Sequence, residues 1–182
     1  MRIKNPPMII DNTVVGRYGL TGRFDILEKL YGKNIVIPTQ IIVEAAGVQV
    51  LLESVQAGLK SGWLEEYTLD FAKGKNELLE YAKIRKRFHY GECAVLAIAK
   101  TWNCTVASDD MTATRNYCKK NNIDQIGSLG ILYDAFETEL LNEADADKLL
   151  KDMIDLSEYR CPVHKFAEVI DWFKHGTGRE LF

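Results

Sequence analysis

Residues 92–108 read ECAVLAIAKTWNCTVAS, a run in which an apolar segment of helical length leads directly into a short strand. Between Glu92 and Lys100 the residues are apolar on every side, as expected for a helix buried in the middle of a domain. Thr105–Ser108 predicts a strand, and two aspartates follow it. A buried helix that feeds a buried strand indicates a parallel sheet covered by helices.

The alternation of strands and helices extends toward the N-terminus. Met8–Ile10 predicts a short buried strand that ends on Asp11, and Asn34–Pro38 predicts the second strand. Helical periodicity covers Thr13–Leu20, Arg23–Tyr31 and a long amphipathic helix that begins at Thr39 and continues through Leu59 to Gly62.

The alternation also continues downstream and then gives way to helices. Trp63–Leu69 predicts an edge strand and Ile123–Ile126 the last strand, with helices at Asn76–Phe88 and Met111–Asn121. Beyond Gly127 the periodicity is helical only, over Leu129–Leu141, Ala146–Ile154 and Pro162–Lys174. We therefore predict an α/β fold with a central parallel sheet flanked by helices. We expect a single domain over residues 1–182, with a core of about residues 8–130 and a C-terminal helical extension of about residues 131–182.

The composition restricts the classes of function. The 182 residues carry 23 Lys and Arg against 26 Asp and Glu, so no global field attracts nucleic acid. A polyanion would have to be bound by local basic patches or by metal ions. The apolar runs are far shorter than the roughly 18 residues that a membrane span needs, and no signal-peptide pattern follows the basic N-terminus. We expect a soluble, cytoplasmic protein with no membrane contact and with its four cysteines reduced.

Four carboxylates occupy positions that call for an explanation. Asp11 and Asp109 each follow a strand, and ligands gather outside the carboxyl ends of parallel strands, so we expect the two to be neighbours. Glu92 heads the buried helix with its side chain turned toward the apolar face, and Glu44 lies at the margin of an apolar stripe. At an effective dielectric constant of 20, close pairs would repel by about 4 kcal/mol each. Mg²⁺ or Mn²⁺ would neutralise them, and such a site suits phosphodiester hydrolysis.

Each carboxylate also has a purely structural interpretation, which the sequence leaves open. Asp11 and Asp109 are good N-cap residues for the helices that follow them. Glu92 is favourable at a helix N-terminus because of the helix dipole, and Glu44 could simply reach solvent. The functional interpretation depends on the convergence of all four.

Four blocks of the sequence together resemble the PIN-domain nucleases. They are residues 9–13 (IIDNT), residues 36–39 (VIPT) leading to Glu44, residues 90–99 (YGECAVLAIA), and residues 106–110 (VASDD) followed by Arg115. The order and spacing of the acidic blocks match over about residues 8–130. Residues 126–132 (IGSLGIL) and the helical tail resemble a subgroup of prokaryotic PIN proteins that are described as predicted nucleic-acid-binding proteins.

The resemblance implies a three-layer PIN-like fold and a metal-dependent ribonuclease, often the toxin of a toxin–antitoxin pair. Its implied metal-site carboxylates are Asp11, Glu44, Glu92 and Asp109, with Mg²⁺ or Mn²⁺ as cofactor. Asp110 could replace or assist Asp109, and Thr13 and Ser108 are the implied supporting hydroxyls. The implied partners are an RNA substrate and an antitoxin protein, and the sequence also leaves a homodimer open.

Basic residues flank the acidic blocks. The candidates for contacts to an RNA backbone are Arg85, Arg87, Arg115 and Lys119. A solvated helix face is the alternative for such charge runs. At the level of the whole protein, the alternative to a nuclease is a degenerate PIN module that binds RNA or a protein partner without cutting. Haloacid-dehalogenase-type phosphatases and receiver domains fit less well, because their additional aspartates are missing from this chain.

Overall fold

Five parallel strands form the centre of the molecule. The computed structural model describes residues 3–72, 74–157 and 159–175. The strands are β1 (Met8–Ile10), β2 (Ile35–Pro38), β3 (Leu64–Tyr67), β4 (Thr105–Ala107) and β5 (Gln125–Ile126). Each lies where the sequence predicts one. β1, β2 and β4 are β-branched and apolar and are buried along their length, whereas the edge strand β3 contains the exposed Glu65 and Glu66.

The sheet has the order β3-β2-β1-β4-β5, and every neighbouring pair is parallel. Met8 of β1 lies opposite Ile35 on one side and Thr105 on the other. All five carboxyl ends therefore lie along one edge of the sheet. The chain builds outward from β1 to β3 and then returns to β4 on the other side of β1, so the strand order reverses between β1 and β4. In open parallel sheets, that reversal opens a crevice where ligands bind.

Helices flank the sheet and confirm the predicted α/β class. They are α1 (Asn12–Leu20), α2 (Phe24–Tyr31), α3 (Thr39–Ala45), α4 (Gln49–Ser61), α5 (Lys75–Ile84), α6 (Tyr90–Trp102), α7 (Ala113–Asn121), α8 (Ser128–Glu137), α9 (Glu143–Ser157) and α10 (Phe166–His175). A short 3₁₀ turn, Gly32–Asn34, precedes β2.

The central helix, α6, is buried as its sequence predicts. Residues 93–99 are at most 2% exposed, and the helix packs on β1, β2 and β4. At its N-terminus, the side chains of His89 and Glu92 complete a capping box. At its C-terminus, Asn103 adopts the left-handed conformation and its N–H bonds to the carbonyl of Ala99. The apolar segment is thus closed at both ends by polar residues.

Two sequence predictions about helices were wrong in their extent. The long helix expected from Thr39 through Leu59 is two helices, α3 and α4, and Val48 of the predicted apolar stripe is 43% exposed. Gly47 lies at the break, and glycine has low helix propensity. The basic helix expected through Phe88 ends at Ile84, so Arg85 and Arg87 lie in the turn between α5 and α6.

The C-terminal helices pack on the rest of the molecule. Leu149, Leu150 and Met153 of α9 are buried, and α9 packs on α1, α8 and α10. Phe166 of α10 makes an edge-to-face contact with Phe136 of α8 at a centroid distance of 5.3 Å. These side chains belong to the same apolar cluster as the strands. Among the described helices, none combines the length and apolar character that crossing a membrane would need.

Candidate functional site

Asp11 follows β1 at the point where the strand order reverses. Its side chain is nearly buried, with the residue 4% exposed, and Oδ2 accepts hydrogen bonds from Thr13 Oγ1 at 2.8 Å and Ser108 Oγ at 2.9 Å. Asp11 is the N-cap residue of α1, and besides these two hydroxyls the backbone N–H groups of Asn12 and Thr13 at the start of the helix stabilise its charged form. A buried carboxylate held by one hydroxyl from the start of α1 and one that follows β4 is oriented by the fold.

Asp109 lies beside Asp11, as the sequence predicts. Its backbone N–H donates to Thr13 Oγ1 at 3.0 Å, so Thr13 joins the two aspartates. Its carboxylate accepts hydrogen bonds from the N–H of Ser128 at 2.6 Å and from Ser128 Oγ at 2.8 Å. Arg17 Nε lies 3.6 Å from Asp109 Oδ2, and the two side chains are 17% and 5% exposed. Asp109 is therefore held by a hydroxyl, a helix N-terminus and a cation.

Asp110 has a different role. Its Oδ1 accepts hydrogen bonds from the N–H and Oγ1 of Thr112, and its Oδ2 accepts from the N–H of Thr114 at 3.0 Å. Burial alone would raise the pKa of Asp110, but these hydrogen bonds lower the pKa below its ordinary value. Asp110 thus turns toward the start of α7, whereas Asp109 turns toward the start of α8.

Glu44 reaches from α3 to the first turn of α6. Its Oε1 accepts a hydrogen bond from the N–H of Gly91 at 3.1 Å. A Cβ at residue 91 would lie 2.6 Å from Ile41 Cδ1 and 2.8 Å from Glu44 Cδ, both shorter than contacts that real Cβ atoms make. The glycine therefore provides the space that the carboxylate fills, and the N-terminal end of the helix favours its negative charge.

Glu92 follows Gly91 in the first turn of α6. Its Oε2 accepts a hydrogen bond from the N–H of His89 at 3.0 Å, so the structural interpretation of Glu92 as a capping residue is observed. The residue is half-buried. Capping uses one carboxylate oxygen, and a carboxylate has a second one with which it can bind other groups.

The four carboxylates interact electrostatically. Burial raises the pKa of Asp11, Glu44 and Asp109 above their ordinary values. The charges of Asp11 and Glu92 further raise the pKa of Glu44, and the charge of Asp11 further raises the pKa of Asp109. Glu44 is thus within electrostatic range of Asp11 and Glu92, and Asp109 within range of Asp11.

The basic candidates differ in accessibility. Arg87 and Lys119 are exposed and Arg85 is half-buried. Arg115 is 8% exposed, and its Nε and Nη2 have no hydrogen-bond partner among the described residues. A buried guanidinium with unused donors is suited to bind an anion. For Arg115, burial therefore argues against the alternative of a solvated helix face.

Three residues of this site were not among the sequence candidates. Gly91 lay within a quoted block, but its contact with Glu44 had no sequence signal. Ser128 could have been found, because it follows β5 and lies at the same edge of the sheet as the aspartates. Arg17 had no signal, since its approach to Asp109 depends on how α1 packs.

The chemistry of the donor set suits Mg²⁺ or Mn²⁺, which prefer carboxylate oxygens. The space that Gly91 leaves for the Glu44 carboxylate is consistent with such a site. Across residues 3–72, 74–157 and 159–175, however, no three His, Cys, Asp or Glu side chains lie close enough together to hold a metal ion. Mg²⁺ usually takes one or two carboxylates, with water in its other positions, so pairs of these side chains would hold it.

Comparison with protein-family models supplies the classification. A family model described as PIN domain matches residues 7–175. The chain belongs to the PIN-domain family. The match includes all five strands of this PIN domain and its C-terminal helices α9 and α10. A search of curated proteins found no match.

Proposed function

We propose that this PIN domain is a metal-dependent endoribonuclease that hydrolyses RNA phosphodiester bonds with Mg²⁺ or Mn²⁺. Asp11, Glu44, Glu92 and Asp109 are its proposed metal-site and catalytic carboxylates. The observation that carries the proposal is the connection of Asp11 to Asp109 through Thr13, where the strand order reverses. Membership of a family whose members are typically nucleases supports it.

The chain's own residues would orient these carboxylates. Thr13 and Ser108 donate to the same oxygen of Asp11, which fixes the rotation of that carboxylate. The N–H of Gly91 does the same for Glu44. When bound, a divalent cation supplies Lewis acidity for the attack of water on phosphate. Preorganised ligands avoid much of the cost of arranging the site during reaction.

The direct test is cleavage of single-stranded and structured RNA by purified protein, with Mg²⁺ or Mn²⁺ and with EDTA. We expect cleavage that EDTA abolishes, and losses of at least about 100-fold in the variants Asp11→Asn and Glu92→Gln. Glu28→Gln, which removes an exposed charge from α2, is the matched control and should cut normally. Equal cleavage by all four proteins, or cleavage in EDTA, would overturn the proposal.

A second candidate is a degenerate PIN module that binds RNA or a protein without cutting. Two observations favour it: both carboxylate oxygens of Asp109 accept hydrogen bonds from Ser128, and the described carboxylates are not grouped as metal ligands. The same assay separates the two functions. Metal-independent RNA binding with no cleavage under any condition would identify the degenerate module.

We further propose that the nuclease is the toxin of a toxin–antitoxin pair. Induced expression in a bacterial host should then arrest growth, and the Asp11→Asn variant should not. Co-expression of a cognate antitoxin should restore growth. Normal growth despite soluble, RNA-cleaving protein would favour a housekeeping nuclease instead.

A further inference from the structure

An exposed aromatic ring begins the helix whose first turn binds Glu44. Tyr90 is the first residue of α6 and is 63% exposed. It immediately precedes Gly91, whose N–H binds Glu44. Within the described residues, every aromatic side chain except those of Phe71 and Tyr90 is buried in the core or packed against it, so an exposed ring at this position needs an explanation.

The guanidinium group of Arg85 covers one face of the Tyr90 ring. The guanidinium carbon of Arg85 lies 3.4 Å from the centroid of Tyr90, a cation–π contact. Arg85 is itself fixed, because its Nη1 donates to the carbonyl of Phe88 at 3.2 Å. The arrangement is a layered pair with one ring face against a cation and most of the ring in solvent.

We propose that Arg85 and Tyr90 form a platform on which one unpaired base of single-stranded RNA stacks, beside the carboxylates. This inference rests on the proposed function, to which it adds a contact with the RNA substrate. The base stacks on the face of Tyr90 opposite Arg85, and the remaining N–H groups of Arg85 face a flanking phosphate. Bases in a duplex are covered by their neighbours, so the platform selects unpaired RNA.

Charge explains why such a platform would be useful here. The chain has a net charge of −3, and the carboxylates of Glu44 and Glu92 lie at this helix end, so they oppose the approach of the RNA phosphates that Arg85 favours. A base is neutral and stacks without that penalty. Stacking on Tyr90 therefore supplies affinity in a region where phosphate contacts alone are weak.

The experiment measures binding without cleavage. Fluorescence anisotropy in EDTA compares a labelled eight-nucleotide single-stranded RNA with the same strand in a duplex, for wild type and for Tyr90→Leu. We expect wild type to prefer the single strand and Tyr90→Leu to weaken its binding about 5- to 100-fold. Tyr90→Phe keeps the ring and should bind within about twofold of wild type.

A control substitution distinguishes a specific contact of Arg85 from a general effect of positive charge on RNA binding. Arg85→Ala should weaken single-strand binding, whereas Lys33→Ala should not, because Lys33 is exposed before β2 at the opposite edge of the sheet. Unchanged binding by Tyr90→Leu, or equal binding of duplex, would overturn the platform even if the protein cleaves RNA. Tyr90-dependent binding by a protein that never cleaves would retain the platform and overturn the nuclease.

Discussion

Gly91 lies at the closest approach of α3 to α6, and its missing side chain decides where Glu44 lies. The Glu44 carboxylate fills that space and accepts the Gly91 N–H at 3.1 Å. A methyl group at residue 91 would meet both Glu44 and Ile41. The side chain of Glu44 can rotate away, but the buried Ile41 has less room to adjust.

We therefore expect Gly91→Ala to displace Glu44 and to cost about 1–3 kcal/mol of stability through overpacking. RNA cleavage should fall with it, because the displaced carboxylate no longer faces its neighbours. Chemical denaturation and the cleavage assay measure the two effects.

Gly16→Ala is the matched control for that substitution. Gly16 is also a buried helical glycine, in α1, but apart from the adjacent backbone of its own helix and its chain neighbours, no described atom lies within 4 Å of the position of an added Cβ. This variant should gain about 0.5–1 kcal/mol, because alanine favours helix. If Gly91→Ala behaves like Gly16→Ala, the steric argument fails.

At the scale of elements, α5 is attached to α6 and α7 by a buried carboxylate. Glu80 is 7% exposed, and its Oε1 accepts hydrogen bonds from Lys100 Nζ and Tyr117 Oη, each at 2.7 Å. Lys83 contributes a third contact at 3.3 Å. A buried charge with several donors stabilises the packing only as long as it stays ionised.

The pH dependence of stability tests this attachment. Burial alone would raise the pKa of Glu80, but the hydrogen bonds from Lys100, Tyr117 and Lys83 lower the pKa below its ordinary value of 4.5. A pKa lowered on folding adds stability above the unfolded-state pKa, and that stability is lost as the pH falls through the folded-state pKa. Part of the wild-type stability should therefore disappear below pH 4.5.

Glu80→Gln should lose about 1–3 kcal/mol at pH 7 and show a shallower decline in acid. Glu28→Gln, at an exposed position, serves as the control. Unfolding by urea at several pH values measures both the loss of stability at pH 7 and the steepness of the decline in acid. Parallel pH profiles for Glu80→Gln and wild type would show that Glu80 is not the group responsible.

At the scale of the whole molecule, metal binding should stabilise the fold. A cation that binds only the native state would relieve the repulsion that Asp11 and Glu92 exert on Glu44. At about 100 times its Kd, the added stability is about 2.7 kcal/mol, which raises Tm by roughly 5–10 °C for a chain of this length. Thermal unfolding with increasing Mg²⁺ or Mn²⁺ measures it. The double variant Asp11→Asn/Glu92→Gln should lose the shift, and a flat wild-type titration would argue against a metal site.

The C-terminal extension should be required for solubility. It covers α1 through the buried Leu149, Leu150 and Met153, and Arg17 of α1 donates to the carbonyl of Ser157. Deleting residues 143–182 should expose apolar surface and cause aggregation. Gel filtration of the truncated protein checks this, and a soluble monomer with native circular dichroism would contradict it.

The sequence was most successful where structure is local. All five strands lie where the sequence predicts them. β1, β2 and β4 are short, mainly apolar runs, whereas β3 and β5 also contain polar residues. The helix from Thr39 was predicted too long, because Val48 continues the apolar periodicity even though the chain turns at Gly47. A periodic pattern shows which residues can face a core, but it does not show whether the backbone keeps its direction.

The sequence by itself determined the order of strands and helices, and it placed Asp11 and Asp109 after strands, where parallel pairing makes them neighbours. Only the tertiary structure decided the partner of each oxygen. Thr13 and Asp109 are 96 residues apart in the chain, and the bond between them forms only once β1 and β4 pair. The choice between Asp109 and Asp110 has the same origin: the two are adjacent in sequence, and the packing of Ser128 and α7 decides which way each carboxylate turns.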